Sequence, residues 1–245
     1  MRLLCKVAYK GTNYQGWQKQ KNAPSVQEEI EKVLSQILNT EISIQGSGRT
    51  DAGVHAKGQY FHFDTDTKMD LNRLQYSVNS LLPKDISVIE ISKVSDDFHA
   101  RYSAKSKRYS YFLRFEGKNP FNYDLETLYP YEIDTNLLID CLKLFEGTHN
   151  FQDFTSKEED EENFMRTIFS VKAHFVPGTN QFIITFEGDG FMRYMIRDMI
   201  GATLAVASGK EKKDFIEYHL SDKKEREIVP YKAPAEGLYL IDVNY

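Results

Sequence analysis

The sequence has few cysteines, prolines and tryptophans and no long apolar run. Its 245 residues include 2 Cys, 7 Pro and 1 Trp. Cys5 and Cys141 are too few for a disulfide scaffold, and the hydrophobic pattern around each predicts core packing rather than a metal site. No stretch approaches the roughly 20 apolar residues of a membrane span, and the apolar stretch within residues 1–9 is too short for a signal peptide. We therefore expect a cytoplasmic protein that does not enter a membrane.

The residues that are abundant predict a folded globular chain. Hydrophobic residues make up 41% of the sequence and charged residues 27%, with 15 Tyr and 16 Phe. This apolar mass offsets chain entropy, which a disordered segment of low hydrophobicity cannot do. The length suits one large domain or two small ones.

The net charge of −5 is unusual for a protein that binds nucleic acid, but its distribution is uneven. Residues 153–162 contain six acids and one lysine, which accounts for the whole net charge. Residues 99–114 contain five basic residues and no acid. The sequence thus allows either a local basic surface that binds RNA or ordinary solvated faces, and composition alone favours the second.

The first half of the chain predicts the element order βαββαβ. Strands are expected at Leu3–Tyr9, near 42–46, near 59–63 and at Ile86–Val94. One helix begins after the capping box Ser25–Glu28, and a second contains Leu71, Leu74, Val78 and Leu81 and stops at Pro83.

The same order recurs from Lys107. Strands are expected at 109–115, 168–176, 182–187 and 238–243, with helices at 137–145 and from 191 to about 207 and a polar helical stretch after the last of these. The sequence therefore predicts an α+β fold of two ferredoxin-like halves, 1–104 and 105–245, with a central antiparallel sheet and a cleft between the halves as the default site.

The segment GSGRTDAGVH, residues 46–55, is the strongest candidate for a functional loop. It lies between two predicted strands and places three glycines around Arg49, Asp51 and His55. Glycines allow backbone angles or close approaches that other residues cannot adopt. Taken alone, the segment could equally be a glycine-rich turn with a surface aspartate, and it matches neither a Walker loop nor a dinucleotide fingerprint.

Several segments in the same order make the chain resemble the tRNA pseudouridine synthase A family. They are GRTDAGVH at 48–55, YKGTNYQGWQ at 9–18, SVQEEIE at 25–31, DDFHARYSA at 96–104, KRYSYFL at 107–113, FMRYMIRDMIG at 191–201 and APAEGLYL at 233–240. The matches span nearly the whole chain.

The resemblance implies a role for each of five residues. Asp51 resembles the catalytic aspartate, and Arg197 the arginine that pairs with it and keeps it ionised. Tyr109 resembles the tyrosine that stacks on the target base, Arg49 the arginine that helps extrude it, and Leu240 the apolar residue that lines the pocket. Without the resemblance, Arg197 suits a surface salt bridge, whereas Tyr109 and Leu240 suit the hydrophobic core.

The resemblance further implies an isomerase that converts uridine to pseudouridine at positions 38, 39 and 40 of the tRNA anticodon stem-loop, as a homodimer. The rearrangement oxidises nothing, so no cofactor is expected, and the scattered His and Cys predict no metal site. Phosphate contacts are expected from four basic residues, Arg101, Lys105, Lys107 and Arg108.

Three other functions remain open. One is a non-catalytic RNA-binding protein on the same scaffold, and another is a paralogue that modifies a different RNA. The third is a carboxylate hydrolase of nucleosides or sugars, which would need a second carboxylate beside Asp51.

Overall fold

The structure is a computed structural model that describes residues 1–156, 163–221 and 225–245. The chain divides into two compact units, one formed by 1–105 with 239–245 and the other by 106–238. The predicted acidic segment falls largely on residues 157–162, which lie outside the described residues. Across the described ranges, no helix has the length and apolar character needed to cross a bilayer.

The first unit follows the predicted βαββαβ order. Its elements are β1 (Arg2–Tyr9), α1 (Val26–Leu38), β2 (Gln45–Gly46), β3 (His55–Asp64), α2 (Leu71–Leu81) and β4 (Ile86–Val94). β1 lies between β4 and β3 and is antiparallel to both. The short β2 pairs antiparallel with β3. The final strand β10 (Leu238–Asn244) runs parallel to β3.

Local sequence explains where the helices of the first unit begin and end. The Ser25 hydroxyl accepts a hydrogen bond from Glu28 N, as the capping box predicts, and Asn39 ends α1 in the left-handed conformation. The Asp70 carboxylate caps α2, which ends before Pro83. On β1, the buried side chains alternate, with Leu3, Cys5, Val7 and Tyr9 facing the core.

The structure shortens one predicted strand and lengthens another. The strand expected at 42–46 is reduced to Gln45–Gly46, because the Ser35 hydroxyl and the Glu31 carboxylate on α1 accept the amides of Ile42 and Ile44. Those amides are then satisfied without a strand partner. The strand expected near 59–63 extends to His55–Asp64, so it begins directly after the candidate loop.

The second unit also mixes helices with a mainly antiparallel sheet. Its strands are β5 (Ser106–Arg114), β6 (Thr127–Leu128), β7 (Gly147–Asn150), β8 (Met165–Phe175) and β9 (Gln181–Gly188). Its helices are α3 (Thr135–Lys143), α4 (Met195–Ala207) and α5 (Phe215–Leu220). Within this unit β9 lies between β5 and β8, β7 flanks β8, and β6 runs parallel to β5. The strands β6 and β7 were not among those predicted from the sequence.

Two predicted boundaries differ in this part of the chain. The helix expected from Phe191 starts at Met195, because Tyr194 adopts a left-handed backbone with φ of 64° that cannot lie within a helix. The sequence analysis placed residues 239–245 in the second half, whereas they lie in the first unit because Tyr239 and Leu240 pair with His55 and Ala56 of β3. The α+β class is confirmed.

Candidate active site

The loop of residues 47–54 joins β2 to β3 and carries Asp51. Asp51 is half-buried. Gln59 of β3 holds the start of the loop, since its side-chain amide donates to Gly48 O at 2.9 Å and its Oε1 accepts the Ser47 hydroxyl. The Ser47 amide also donates to Tyr60 O at 2.7 Å. The loop is therefore tied to a strand that pairs with β1, β2 and β10.

A second segment, residues 9–17, holds the loop at the residues that flank Asp51. The Thr50 carbonyl accepts the Trp17 amide at 3.1 Å, and the Thr50 hydroxyl lies 2.7 Å from the Tyr9 hydroxyl. On the other side of Asp51, the Gly53 amide donates to Tyr14 O at 3.3 Å. Because the chain is held at Thr50 and at Gly53, the backbone position of Asp51 between them is set by the fold.

Glycines in the segment 9–17 permit this close contact. Gly16 has φ of +95°, and a Cβ there would lie 2.5 Å from Thr50 O. A Cβ at Gly11 would collide with the Val54 carbonyl. The motif YKGTNYQGWQ therefore supports the motif GRTDAGVH, which explains why the two segments occur together in one sequence.

His55 and Leu240 lie where the loop enters β3. The His55 ring is buried, accepts the Gly11 amide at Nδ1 at 3.0 Å and stacks on Tyr239 with centroids 4.5 Å apart. This arrangement indicates a structural histidine. Leu240 is buried on β10 opposite Ala56. Arg49 is exposed on the same loop as Asp51.

Tyr109 lies in the second unit, on β5 opposite Phe186 of β9. Its ring is largely buried and meets the ring of Phe191 edge-on, with centroids 5.3 Å apart. A ring packed edge-on in this way is held in orientation by its neighbour.

Arg197 lies in the first turn of α4 in the same unit. Its Nε donates to Ala233 O at 2.7 Å, and its own carbonyl accepts the Ala233 amide at 2.9 Å. The guanidinium carbon is 5.4 Å from the centre of the Tyr194 ring. Burial raises the pKa of Tyr111 above its ordinary value, and the nearby Arg197 charge opposes that rise. These contacts orient the guanidinium.

The motif FMRYMIRDMIG accounts for the arrangement around Tyr109 and Arg197. Phe191 packs against Tyr109, and Tyr194 lies under Arg197.

The predicted site residues are divided between the two units. The first unit contains Asp51, Arg49 and Leu240, and the second contains Tyr109 and Arg197. The sequence patterns do not single out the two residues that hold the loop, Gln59 and Thr50. Thr50 lies inside the motif and could have been chosen, whereas the alternation of β3 gives Gln59 no signal.

The four predicted phosphate contacts differ in exposure. Arg101 and Lys105 are exposed in the first unit, while Lys107 and Arg108 are half-buried on β5. Arg108 Nε lies 3.8 Å from Glu187 Oε2, so part of its charge is balanced within the protein. Among the residues that the structure describes, no three His, Cys, Asp or Glu side chains converge so as to hold a metal ion.

Comparison with known proteins covers most of these motif segments, although the family model leaves out KRYSYFL at 107–113, which carries Tyr109. A family model described as tRNA pseudouridine synthase matches residues 6–103 and 141–245. A tRNA pseudouridine synthase A from Streptococcus uberis (strain ATCC BAA-854 / 0140J) is 39% identical over 241 residues, covering 98% of this chain and 96% of that protein. One from Staphylococcus carnosus (strain TM300) is 38% identical, covering 98% of this chain and 89% of that protein.

A solved structure, the archaeal box H/ACA sRNP Nop10–Cbf5 complex, aligns with a TM-score of 0.37 and 14% identity over 82% of this chain and 42% of that chain. The matches to the family model and to the curated relatives span most of the sequence and include the loop with Asp51. The chain therefore belongs to the tRNA pseudouridine synthase family and has the pseudouridine synthase fold.

Proposed function

We propose that this isomerase converts uridine to pseudouridine at positions 38, 39 and 40 of the tRNA anticodon stem-loop, with Asp51 as its essential carboxylate. Membership of the family supports pseudouridine formation in tRNA. The proposed role of Asp51 rests on the hydrogen bonds that hold its loop. Thr50 and Gly53 are both held by the segment 9–17, while Asp51 itself stays partly open to solvent.

The reaction needs a carboxylate that is fixed in direction and can be reached by a nucleotide. The N1–C1′ bond of uridine breaks, the uracil turns, and a bond forms from C5 to C1′, while the C5 proton is lost and N1 gains one. Product and substrate have the same atoms, so the reaction consumes no oxidant. Asp51 can attack C6, attack C1′ or remove a sugar proton, and each route requires it to be ionised at the start.

We further propose the roles that the resemblance implies for four other residues. Arg197 acts with Asp51 and keeps it ionised, which suits a guanidinium oriented by Ala233 O. Tyr109 stacks on the target base, which suits a ring braced edge-on by Phe191. Arg49, exposed beside Asp51, helps to extrude the base, and Leu240 lines the pocket.

We propose that the enzyme is a cytoplasmic homodimer that grips tRNA through Arg101, Lys105, Lys107 and Arg108. Each phosphate neutralised by one of these side chains releases counterions, so tRNA affinity falls as salt rises. Arg108 contributes less than the exposed Arg101 and Lys105, because Glu187 competes for its charge.

Substitution of Asp51 tests the central proposal. Asp51→Ala and the isosteric Asp51→Asn are compared with wild type and with Asp66→Ala, which changes an exposed carboxylate in the same unit. Each protein is incubated with transcribed tRNA, and pseudouridine is mapped at single-nucleotide resolution while tRNA affinity is measured in parallel. We expect both Asp51 variants to lose on the order of 10³-fold or more in turnover while keeping near wild-type affinity, with Asp66→Ala unchanged.

The wild-type reaction separates the other candidate functions. Release of uracil would indicate a hydrolase, and tRNA binding without pseudouridine would indicate a binding protein. Product at other positions would move the target away from 38, 39 and 40. Turnover near wild type in Asp51→Asn would refute the role of Asp51.

A further inference from the structure

A tight turn at residues 98–103 is closed by its own side chains. The Ser103 amide donates to His99 O at 2.8 Å, and the His99 amide donates to the Ser103 hydroxyl at 3.0 Å. The amides of Arg101 and Tyr102 both point to His99 Nδ1, at 3.1 and 3.4 Å. The side chains of His99 and Ser103 thus satisfy three of the backbone amides of this turn locally, and they define its shape.

The turn is also anchored to the body of the first unit. The Ala100 amide donates to His62 Nδ1 at 3.1 Å, and the Ala100 carbonyl accepts the Tyr245 hydroxyl at 2.9 Å. The Phe98 carbonyl accepts Arg2 Nη1 at 2.8 Å. These three bonds come from β3, from the carboxyl terminus and from β1, so the turn is rigid on the scale of the unit.

The turn presents an aromatic ring to solvent. Tyr102 is 77% exposed, and its ring packs against His99 at an interplanar angle of 37°, with centroids 4.4 Å apart. The Arg101 guanidinium carbon lies 5.7 Å from the Tyr102 centroid. Exposing a large ring forgoes the stabilisation that burial would give, and holding the exposed ring in one orientation also costs side-chain entropy. Most of the ring surface therefore remains available to a ligand, while His99 and Arg101 hold its orientation.

The charges around the ring favour a polyanion. Arg101 directly precedes Tyr102 and Lys105 follows it by three residues, and both are exposed. The acids just before the turn, Asp96 and Asp97, act on the Arg2 guanidinium, which lies on the anchored side of the turn and is also paired with Asp64. The outward side of the turn therefore carries cations beside an aromatic face.

We propose that Tyr102 is a stacking platform for an unpaired base of the RNA substrate, with Arg101 contacting an adjacent phosphate. Every base has a π face that an aromatic side chain can cover, and an arginine beside the ring supplies the charge that the RNA backbone requires. The platform rests on the proposed function, since it requires an RNA substrate. It adds a binding residue outside the loop of Asp51.

Exposed tyrosines in the same unit allow a matched experiment. Tyr102 is replaced by Ala, Leu or Phe, and the control is Tyr76→Ala, on α2, which removes a ring that is 76% exposed. We expect Tyr102→Ala to weaken tRNA binding roughly five- to twenty-fold, as loss of one stacked base does. Tyr102→Phe keeps wild-type affinity, Tyr102→Leu behaves like Ala, and Tyr76→Ala has no effect.

The dependence on salt separates stacking from charge. Arg101→Gln lowers the slope of log affinity against log salt by about one, whereas Tyr102→Ala leaves the slope unchanged. A fluorescent 2-aminopurine, placed in turn at each unpaired position of the transcript, is quenched at one position by wild type and by Tyr102→Phe. Tyr102→Ala loses that quenching.

Two outcomes would overturn the platform. One is wild-type affinity and quenching in Tyr102→Ala, and the other is an equal loss in Tyr76→Ala. Thermal unfolding of each variant identifies any loss of tRNA affinity that arises from misfolding. If Tyr102→Ala is misfolded, Tyr102→Leu and Tyr102→Phe still test the platform, because only the Phe variant keeps the ring. The platform and the catalytic proposal can fail independently. If the wild type binds RNA through Tyr102 but forms no pseudouridine, only the catalytic proposal fails. If the wild type forms pseudouridine and Tyr102→Ala binds tRNA as the wild type does, only the platform fails.

Discussion

Acid should destabilise the first unit through one buried histidine, His62 on β3. Its Nδ1 accepts the Ala100 amide, and its ring meets His99 edge-on with centroids 4.7 Å apart. Burial, with the charges of the nearby His99 and Arg2 as smaller causes, lowers the pKa of His62 to about 4. Protonation at Nδ1 would place a proton against the Ala100 N–H. The bond that anchors the turn of Tyr102 would then break.

The sign and size of the effect follow from linkage. The folded pKa of about 4 lies below the ordinary value of about 6.5, so the unfolded chain takes up the proton first. The stability that neutral His62 contributes is fully present above about pH 6.5 and is lost as the pH falls toward 4. The expected loss in unfolding free energy from this residue is about 2 kcal/mol at pH 5.

Trp17 makes the measurement specific to the first unit. It is the single tryptophan of the chain, and it is buried in that unit, close to the Tyr9 and Phe61 rings. Urea unfolding followed by tryptophan fluorescence at pH 7.5, 6 and 5 gives the free energy of unfolding at each pH. His62→Gln removes the titrating group, and His174→Gln changes an exposed histidine as the control.

We expect His62→Gln to be less stable than wild type at neutral pH, because the glutamine replaces a packed ring. The difference should shrink by about 2 kcal/mol between pH 7.5 and 5, as only wild type loses the contribution of neutral His62. His174→Gln should follow the wild-type curve. An equal dependence on pH in wild type and His62→Gln would refute the reasoning.

Two further substitutions test the supports of each unit. Gly16→Ala should lower the free energy of unfolding by about 3 kcal/mol in the urea assay and slow turnover, since a Cβ there meets Thr50 O beside Asp51. Gly178→Ala, also at positive φ but in open space in the second unit, should cost only about 1 kcal/mol, measured by hydrogen exchange of that unit. Asp153→Ala should lower the free energy of unfolding of the second unit by about 3 kcal/mol, because the buried Asp153 carboxylate lies 2.8 Å from His219 Nδ1 and accepts the Glu227 amide. Hydrogen exchange of the second unit measures this loss. Unchanged protection of its amides would contradict the expectation.

Residue patterns within short windows predicted most of the elements. The alternation of β1 and the cap at Ser25 depend only on neighbours in the sequence, and both occur where expected. The α+β class and the βαββαβ order of the first unit follow from such patterns. The loop of Asp51 could be found because glycines, Arg49 and Asp51 are concentrated in one segment.

Contacts between distant segments decided the features that the patterns missed. Whether 42–46 forms a full strand depends on Glu31 and Ser35, which take its amides. The start of α4 depends on the left-handed backbone of Tyr194, whose ring contacts Arg197 and Lys232. Neither condition is visible as a hydrophobic period.

Sequence alone determined which residues are available for chemistry, and the tertiary structure decided how they are held. The family motif identified Asp51, but only the fold shows that Gly16 lets a distant segment grip Thr50 beside it. Nothing in the sequence distinguishes Tyr102 from the other tyrosines, and only the fold shows that its turn is anchored to His62 and Tyr245. The physical reason is that close backbone approaches and buried hydrogen bonds join residues far apart in the chain, while periodicity reports only local burial.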